Sequence, residues 1–579
     1  MDVAELGALA KQDDEAAWVS NLWDKYHHQR AGWLKEVLEL RNYIFATDTT
    51  TTSNSTLPWK NKTTIPKLCQ IRDNLHANYV STLFPNDNWL TWMGYDQSAM
   101  VKEKAQVVES YMANKCRESA FRTTISQLLL DYIDYGVAFS TTEFKADYKL
   151  DALGKPSIKY LGPVARRVSP EDIVFNPLSH TFEESHKVVR SIKTIGELKG
   201  LVATNPEYAH WADFVERREL LQTTVGGIKS EDFNKAVGLS VDGFGSYHEY
   251  LMSDYVEILE FFGDYHNPHT GELRTKQVIT IADRTHTVRS TDIPNWFGSS
   301  PINMVGWRKR PDNLWAMGPL ANLVGLQYRL DHLENLKADA MDLIVHPPLK
   351  IIGDVEEFEW GPSAEIQLDE GGDVGEVAKS LQGVVGAASE MEQIEARMEL
   401  YAGAPREAMG MRTAGEKTAF EVQTLANAAS RIFQEKITQF EVELLEPTLN
   451  DMLEVSRRNL SHEDLVPIFD EEFQATTFQT ITKEDIVANG KLRPVGARHF
   501  AKQSQDLANL VQVFSSPLGQ MMMPHTSAKA LTRVVEDLTG LSGYGIFGEN
   551  IGIKEQQKTQ GKINEAEEQL QVEEMTRPI

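Results

Sequence analysis

The chain has 579 residues, 41% of them hydrophobic and 25% charged, with a formal net charge of −26. That length predicts three or four domains with ample material for a core, and the composition excludes a globally disordered chain. The acidic balance excludes broad, tight nucleic-acid binding, which needs a basic footprint, but not a protein that lets DNA pass without gripping it.

No run reaches the ~18 apolar residues of a membrane span, so no membrane partner is expected. The opening MDVAELGALAKQDDEAAW lacks the basic-then-apolar pattern of a secretion signal. The two cysteines, Cys69 and Cys116, are too few for a disulfide framework or a four-ligand zinc site. They are expected to be packing residues in a reducing compartment.

In chain order, residues 15–43 carry Trp18, Leu22, Tyr26, Trp33, Val37 and Leu40 at helical spacing. The tract TDTTTTSNST at 47–56 predicts a flexible polar linker. Helices are expected around 65–83, 101–114 and 124–135. Past Gly136 the texture turns to strands, interrupted at Gly162-Pro163, Ser169-Pro170 and Asn176-Pro177. Residues 254–290 predict an antiparallel meander with a turn at Asn267–Gly271. From 319 to 345 leucines recur every three or four residues, a helix of about 40 Å that Pro319 starts and Pro347-Pro348 stop. Two short strands follow within 349–373, then a second helix over 377–401. A Gly/Met-rich loop leads into a long helix over 414–458 that should bend at Pro447, which has no N–H to donate. A short β segment near 473–482 and helices over 501–541 complete the pass.

The stretch GMRTAGEKT at 410–418 shares letters with a phosphate-binding loop, but Glu416 displaces Lys417 from register and no buried strand precedes it. Thr413 and Glu416 fit a helix capping box instead. Asp264, His266 and His269 cluster in sequence, yet a short hairpin turn explains them without a metal. No hydrolase or dinucleotide motif occurs. No catalytic residue, cofactor or metal is therefore expected. The short basic cluster Arg308-Lys309-Arg310 reads as solvated surface, with phosphate or subunit contact as the alternatives.

Two amphipathic helices bracketing a small β module lack enough core of their own and would pack against copies of themselves in a ring. In this order of elements, over nearly the whole chain, the sequence resembles the portal (head-to-tail connector) proteins of tailed bacteriophages, of the short-tailed type. MGPLANLVGLQYRLDHLENLKADAMDLIVHPPLKI and RTAGEKTAFEVQ carry the likeness most specifically, with LLLDYIDYGVAF and RVSPEDIVFNPLS in support. The resemblance implies an α+β, mainly helical fold that forms a ring with a central channel. The wing would comprise 1–315 and 416–491, and the stem helices 316–346 and 379–402. The clip would be 347–378, the tunnel loop 403–415, and the crown and tail 492–579.

The family's function would follow: a ring, usually dodecameric, at one capsid vertex of the virion, assembled in the host cytoplasm. Implied partners are the terminase large subunit during packaging, the tail adaptor afterwards, the major capsid and scaffolding proteins, and double-stranded viral DNA passing through the channel until ejection. Asp331, Glu334, Asp339 and Asp342 are the stem candidates to face the lumen and repel phosphate. Glu356, Glu357, Glu359, Asp369, Glu370 and Asp373 would make the clip a docking surface. Arg406, Met409, Met411 and Arg412 would line the narrowest part of the channel. Two other classes stay open: another ring-forming virion part, such as a tail adaptor or internal core protein, and a carboxylate-dependent hydrolase. The expected result with purified protein is no ATP turnover. Hydrolysis that Lys417→Ala abolishes would contradict the capping-box assignment.

Overall fold

The computed structural model describes residues 13–84, 89–94, 99–150, 156–204, 206–225, 254–267, 271–294, 300–345, 349–352, 373–376, 382–402, 432–459, 464–470, 475–481 and 490–494. These fall into two compact units, one drawn from 1–84, 112–460 and 491–494, the other from 85–111 and 461–490.

The first unit opens with helices α1 (Asp14–Gln29) and α2 (Ala31–Ile44), followed by α3 (Lys67–Leu83). The periodicity over 15–43 predicts one helix, but the chain breaks at Arg30. The break sets the buried Arg30 guanidinium against a loop, where it donates to the carbonyl oxygens of Pro170, Glu171 and Ile173 at 2.8, 2.5 and 2.7 Å. The tract expected as a flexible linker is ordered as well. It forms two 3-10 turns, Thr49–Thr51 and Ser53–Thr56, with Thr49, Thr52 and Asn54 buried.

Beyond α3 come β1 (Leu90–Gly94) and α4 (Ala99–Glu118), then α5 (Phe121–Asp134). The strand-rich middle follows: β2 (Val137–Leu150), β3 (Pro156–Val168), β4 (Ile173–Phe175), β5 (Lys187–Thr194), helices α6 (Ile195–Thr204) and α7 (Ala212–Val225), β6 (Tyr255–His266), β7 (Leu273–Ala282), β8 (His286–Asp292), β9 (Ile302–Gly306), β10 (Arg308–Arg310) and β11 (Asn313–Met317). Gly162-Pro163 does not interrupt β3, contrary to expectation. Pro163 pairs opposite Phe144 in a sheet ordered β3-β2-β9, where β3 is an edge and a missing N–H forfeits no ladder bond. Ser169-Pro170 and Asn176-Pro177 do fall between strands.

The expected meander is the centre of a five-stranded antiparallel sheet ordered β4-β5-β6-β7-β8. Strand alternation divides its side chains cleanly. Leu259, Phe261, Ile279 and Ile281 pack with Ala16, Val19 and Trp23 of α1, whereas Val256, Ile258 and Ala282 pack with Leu198 of α6 and Phe214 of α7. At the hairpin, Gly271 donates to the Asn267 carbonyl at 2.9 Å with φ at 69°, a conformation glycine adopts without strain. A third cluster gathers around Trp315, whose ring lies 4.1 Å from Trp33 and 4.4 Å from Phe175.

Gly136, between α5 and β2, has φ at 74°, and a Cβ there would come within 2.2 Å of the Gly318 nitrogen. This contact fixes where the chain leaves β11 for the helices beyond. Gly136→Ala combines left-handed strain with a backbone clash that nothing flexible can relieve. It is expected to lower stability by about 2 kcal/mol or more in chemical denaturation. A wild-type midpoint would show that the two backbones are not pinned together.

Leu320 and Leu323 are fully buried around a 3-10 turn, Ala321–Leu323, so the following helix α8 (Val324–Val345) starts later than Pro319 suggests. Then come β12 (Leu349–Ile352), β13 (Asp373–Glu376) and α9 (Gln382–Tyr401). Residues 432–440 are helical, and α10 (Glu446–Asn459) follows a π-helical turn, Glu441–Leu445. The helix expected to bend at Pro447 changes its bonding just before that residue: the Glu446 N–H reaches back five residues to the Glu441 carbonyl.

In the second unit, β14 (Asp464–Asp470) pairs antiparallel with β15 (Ala475–Ile481), where the sequence suggests one short segment. The Trp92 N–H donates to the Glu109 carboxylate at 2.5 Å. Gly490 lies against the Trp92 indole, 2.4 Å from where a Cβ would sit.

Candidate functional site: a helical hairpin

Helices α8 and α9 pack together and are joined through the antiparallel pair β12–β13, in which Ile351 stands opposite Val374 and Ile352 opposite Asp373. The two halves of this hairpin differ in what covers them. Near its base, Leu330 and Leu333 of α8 and Met391, Ile394 and Met398 of α9 are buried. There the Lys67 ammonium meets the Glu399 carboxylate at 2.6 Å, with both side chains about 5% exposed, so α3 is tied to α9.

Beyond Asn335 full burial ends, although Lys60 and Asn61 still contact Asp339 and Asp342. Over 336–345 of α8 and 382–390 of α9 no residue is buried. The uncovered part of α8 is about 15 Å long at 1.5 Å per residue. Its apolar residues remain in the open: Leu336, Met341, Leu343 and Val345, continued by Ile351 and Ile352 of β12 and Val385 of α9. Val345 is 66% and Val385 68% exposed. Scattered exposed leucines are ordinary, but an outer hairpin half with no buried residue and several open apolar side chains is a candidate interaction surface.

A polar stripe holds α8 from its other side. Gln327, Asp331, Asn335 and Asp339 recur every four residues, so they share one helix face at about 6 Å per step. Along that face runs an extended strap, residues 60–66. The Ile65 N–H donates to Asp331 at 3.0 Å, the Thr63 N–H to Asn335 at 2.8 Å and the Asn61 N–H to Asp339 at 3.0 Å. The strap therefore steps by two residues for every four of the helix. Two extended residues span about 6.6 Å, close to one four-residue helix step, so the registers match over three rungs. Asn335 behaves like a strand peptide, also donating to the Thr63 carbonyl at 2.7 Å. Gln327 closes the ladder, donating to the Ile65 carbonyl at 2.6 Å and accepting from the Leu68 N–H at 3.3 Å.

The four stem candidates are placed differently from one another. Asp331, expected on an exposed face, is fully buried under the strap. It also accepts from the Thr64 hydroxyl and the Gln327 amide. Asp339 is likewise engaged, accepting from the Lys60 N–H at 3.1 Å and from the Asn61 amide at 2.8 Å. Asp342 is exposed and accepts from the same amide at 3.0 Å. Glu334 pairs with Lys337 at 2.5 Å. Of the clip residues, Asp373 is exposed at the start of β13, while Glu356, Glu357, Glu359, Asp369 and Glu370 lie outside the described residues. So do Arg406, Met409, Met411 and Arg412 of the loop and the capping pair Thr413 and Glu416.

Burial pushes the Asp331 carboxyl up to about 6, against the opposing pull of its bonds from Ile65, Thr64 and Gln327. Burial alone would raise Asp339 too, but the N–H groups of Asn61 and Lys60 outweigh it and hold that carboxyl below its ordinary range. A raised carboxyl contributes stability that is complete below its unfolded value near 3.8 and is lost as pH rises through about 6. The stability of the wild type relative to Asp331→Asn should therefore fall between pH 4 and 6, on the order of 2 kcal/mol, and level off above. Urea denaturation in pH steps measures this. A difference that rises with pH would show that the ladder favours the charged form.

No family model matches the sequence, and no curated protein matches it.

Proposed function

We propose that the protein is a portal, the ring-shaped DNA channel at one vertex of a tailed-phage capsid. The observation that carries this is the helix–strand–strand–helix hairpin over 324–401, anchored at its base and uncovered along its outer half. Apolar residues left open on such a hairpin are best satisfied by a neighbouring copy, and one heterologous contact repeated side by side forms a ring when its rotation closes. The order of elements supports the resemblance drawn from the sequence: stem helix, clip strands, stem helix. In this role the ring receives the terminase motor at the clip during packaging, passes double-stranded DNA, and afterwards holds the tail adaptor. The acidic net charge suits a channel whose cargo must slide. With Asp331 withdrawn under the strap, the stem's repulsion must come from its other carboxylates.

Multi-angle light scattering tests the assembly step. A mass many times the 65.2 kDa of one chain, persisting across salt concentrations, is the expected result. A monomer at micromolar concentration in every condition would overturn it.

A further inference from the structure

The basic run following Trp307 lies outside the 324–401 hairpin. β10 brings Arg308 and Lys309 to the rim of a cleft of about 550 Å³, opposite Lys436 and the π-helical turn at 441–445. Trp307 is buried and anchored, its indole N–H donating to the Tyr79 hydroxyl at 3.1 Å. Two cations gather on its ring: the Arg308 guanidinium at 5.1 Å and the Lys436 ammonium at 5.2 Å from the centroid.

The charges in the cleft do not neutralise one another evenly. Glu443 is taken by Lys309 at 2.6 Å. Glu435 stands 3.9 Å from Lys436 with its side chain 73% exposed. Among the described residues, half-buried Arg308 has no carboxylate and no hydrogen-bond acceptor. Lys436 makes one long bond, to the Gln439 amide oxygen at 3.3 Å. Burial chiefly, with Arg308 and Lys309 adding to it against Glu435 and Glu443, holds the Lys436 ammonium below its ordinary range. Cations that line one cleft, with donors unspent, describe a site for an anion.

We propose that this cleft binds a phosphate group between Arg308 and Lys436. The planar guanidinium offers paired N–H donors to two oxygens, and the ammonium supplies a point charge to a third. A tetrahedral oxyanion meets both demands at once, whereas a carboxylate has two oxygens only. The two glutamates beside the cleft leave the Arg308 fork unfilled. The π-helical turn, a feature that recurs at functional sites, brings Glu443 to the wall and thereby occupies Lys309. Inorganic phosphate and the phosphodiester of a nucleic acid share this chemistry. Neither requires the protein to be assembled.

Isothermal titration of the full-length protein with inorganic phosphate tests the site. Arg308→Gln and Lys436→Gln, made singly so that folding is checked for each by its melting curve, should each weaken phosphate binding about tenfold or more. The control Arg457→Gln/Arg458→Gln removes two charges whose side chains pair with Glu454, and should leave it unchanged. Competition by short duplex DNA assigns the phosphodiester as the source, and its failure to compete assigns free phosphate. Undetectable phosphate binding, or binding that survives both Arg308→Gln and Lys436→Gln, overturns the proposal, and does so whatever the oligomeric state.

Discussion

Glutamate at both Val345 and Val385 is expected to convert an assembled ring into a folded monomer. Both side chains stand about two-thirds exposed in the single chain, so neither supports the protomer's own core. Burying a valine against a neighbouring copy contributes about 1.5 kcal/mol or more, and the double variant loses that twice at every interface. It also places two carboxylates in an apolar contact, where each must shed its hydration or stay neutral. Because a closed ring repeats the contact at every subunit, the losses recur around it. The thermal midpoint of the monomer should stay within the range of ordinary surface substitutions. Light scattering that still finds the full assembly in Val345→Glu/Val385→Glu would remove the outer half of the hairpin from the interface.

The second large effect concerns the strap. Asp331→Ala combined with Asn335→Ala deletes the two central rungs, leaving the N–H groups of Thr63 and Ile65 and the Thr63 carbonyl without their helix partners. At roughly 1 kcal/mol for each of these three hydrogen bonds, the loss is on the order of 3 kcal/mol. Hydrogen exchange locates it. The amides of residues 61, 63 and 65 should exchange much faster, while β6 and β7 in the five-stranded sheet keep their protection. Unchanged protection in the strap would mean that the ladder only accompanies a segment held by other contacts.

The elements of the hairpin were largely legible from the sequence, because leucine spacing and the prolines at 347 and 348 are local signals. The partner of each face was not. The carboxylates of α8 suggested an exposed face, yet four of its polar residues, Gln327, Asp331, Asn335 and Asp339, serve the strap. A signal was present in their spacing and type: three of the four are short aspartates or asparagine, suited to backbone pressed against a helix, where solvated faces favour long glutamate and lysine. Leu336 and Leu343 continue the same apolar stripe as Leu330 and Leu333, so periodicity could not separate the half buried by its own chain from the half left uncovered. The break at Arg30 escaped for a related reason. Its cause is a set of carbonyl groups about 140 residues away. Thr49, Thr52 and Asn54 were likewise misjudged, because a polar tract reads as solvated until a neighbouring helix is there to bury it.

Electron microscopy of the purified full-length protein tests ring formation most directly. Class averages of closed rings with a central channel, the paired helices of adjacent copies packed around it, are the expected result. Monomers or open, irregular aggregates under conditions where the chain is folded would contradict the portal assignment.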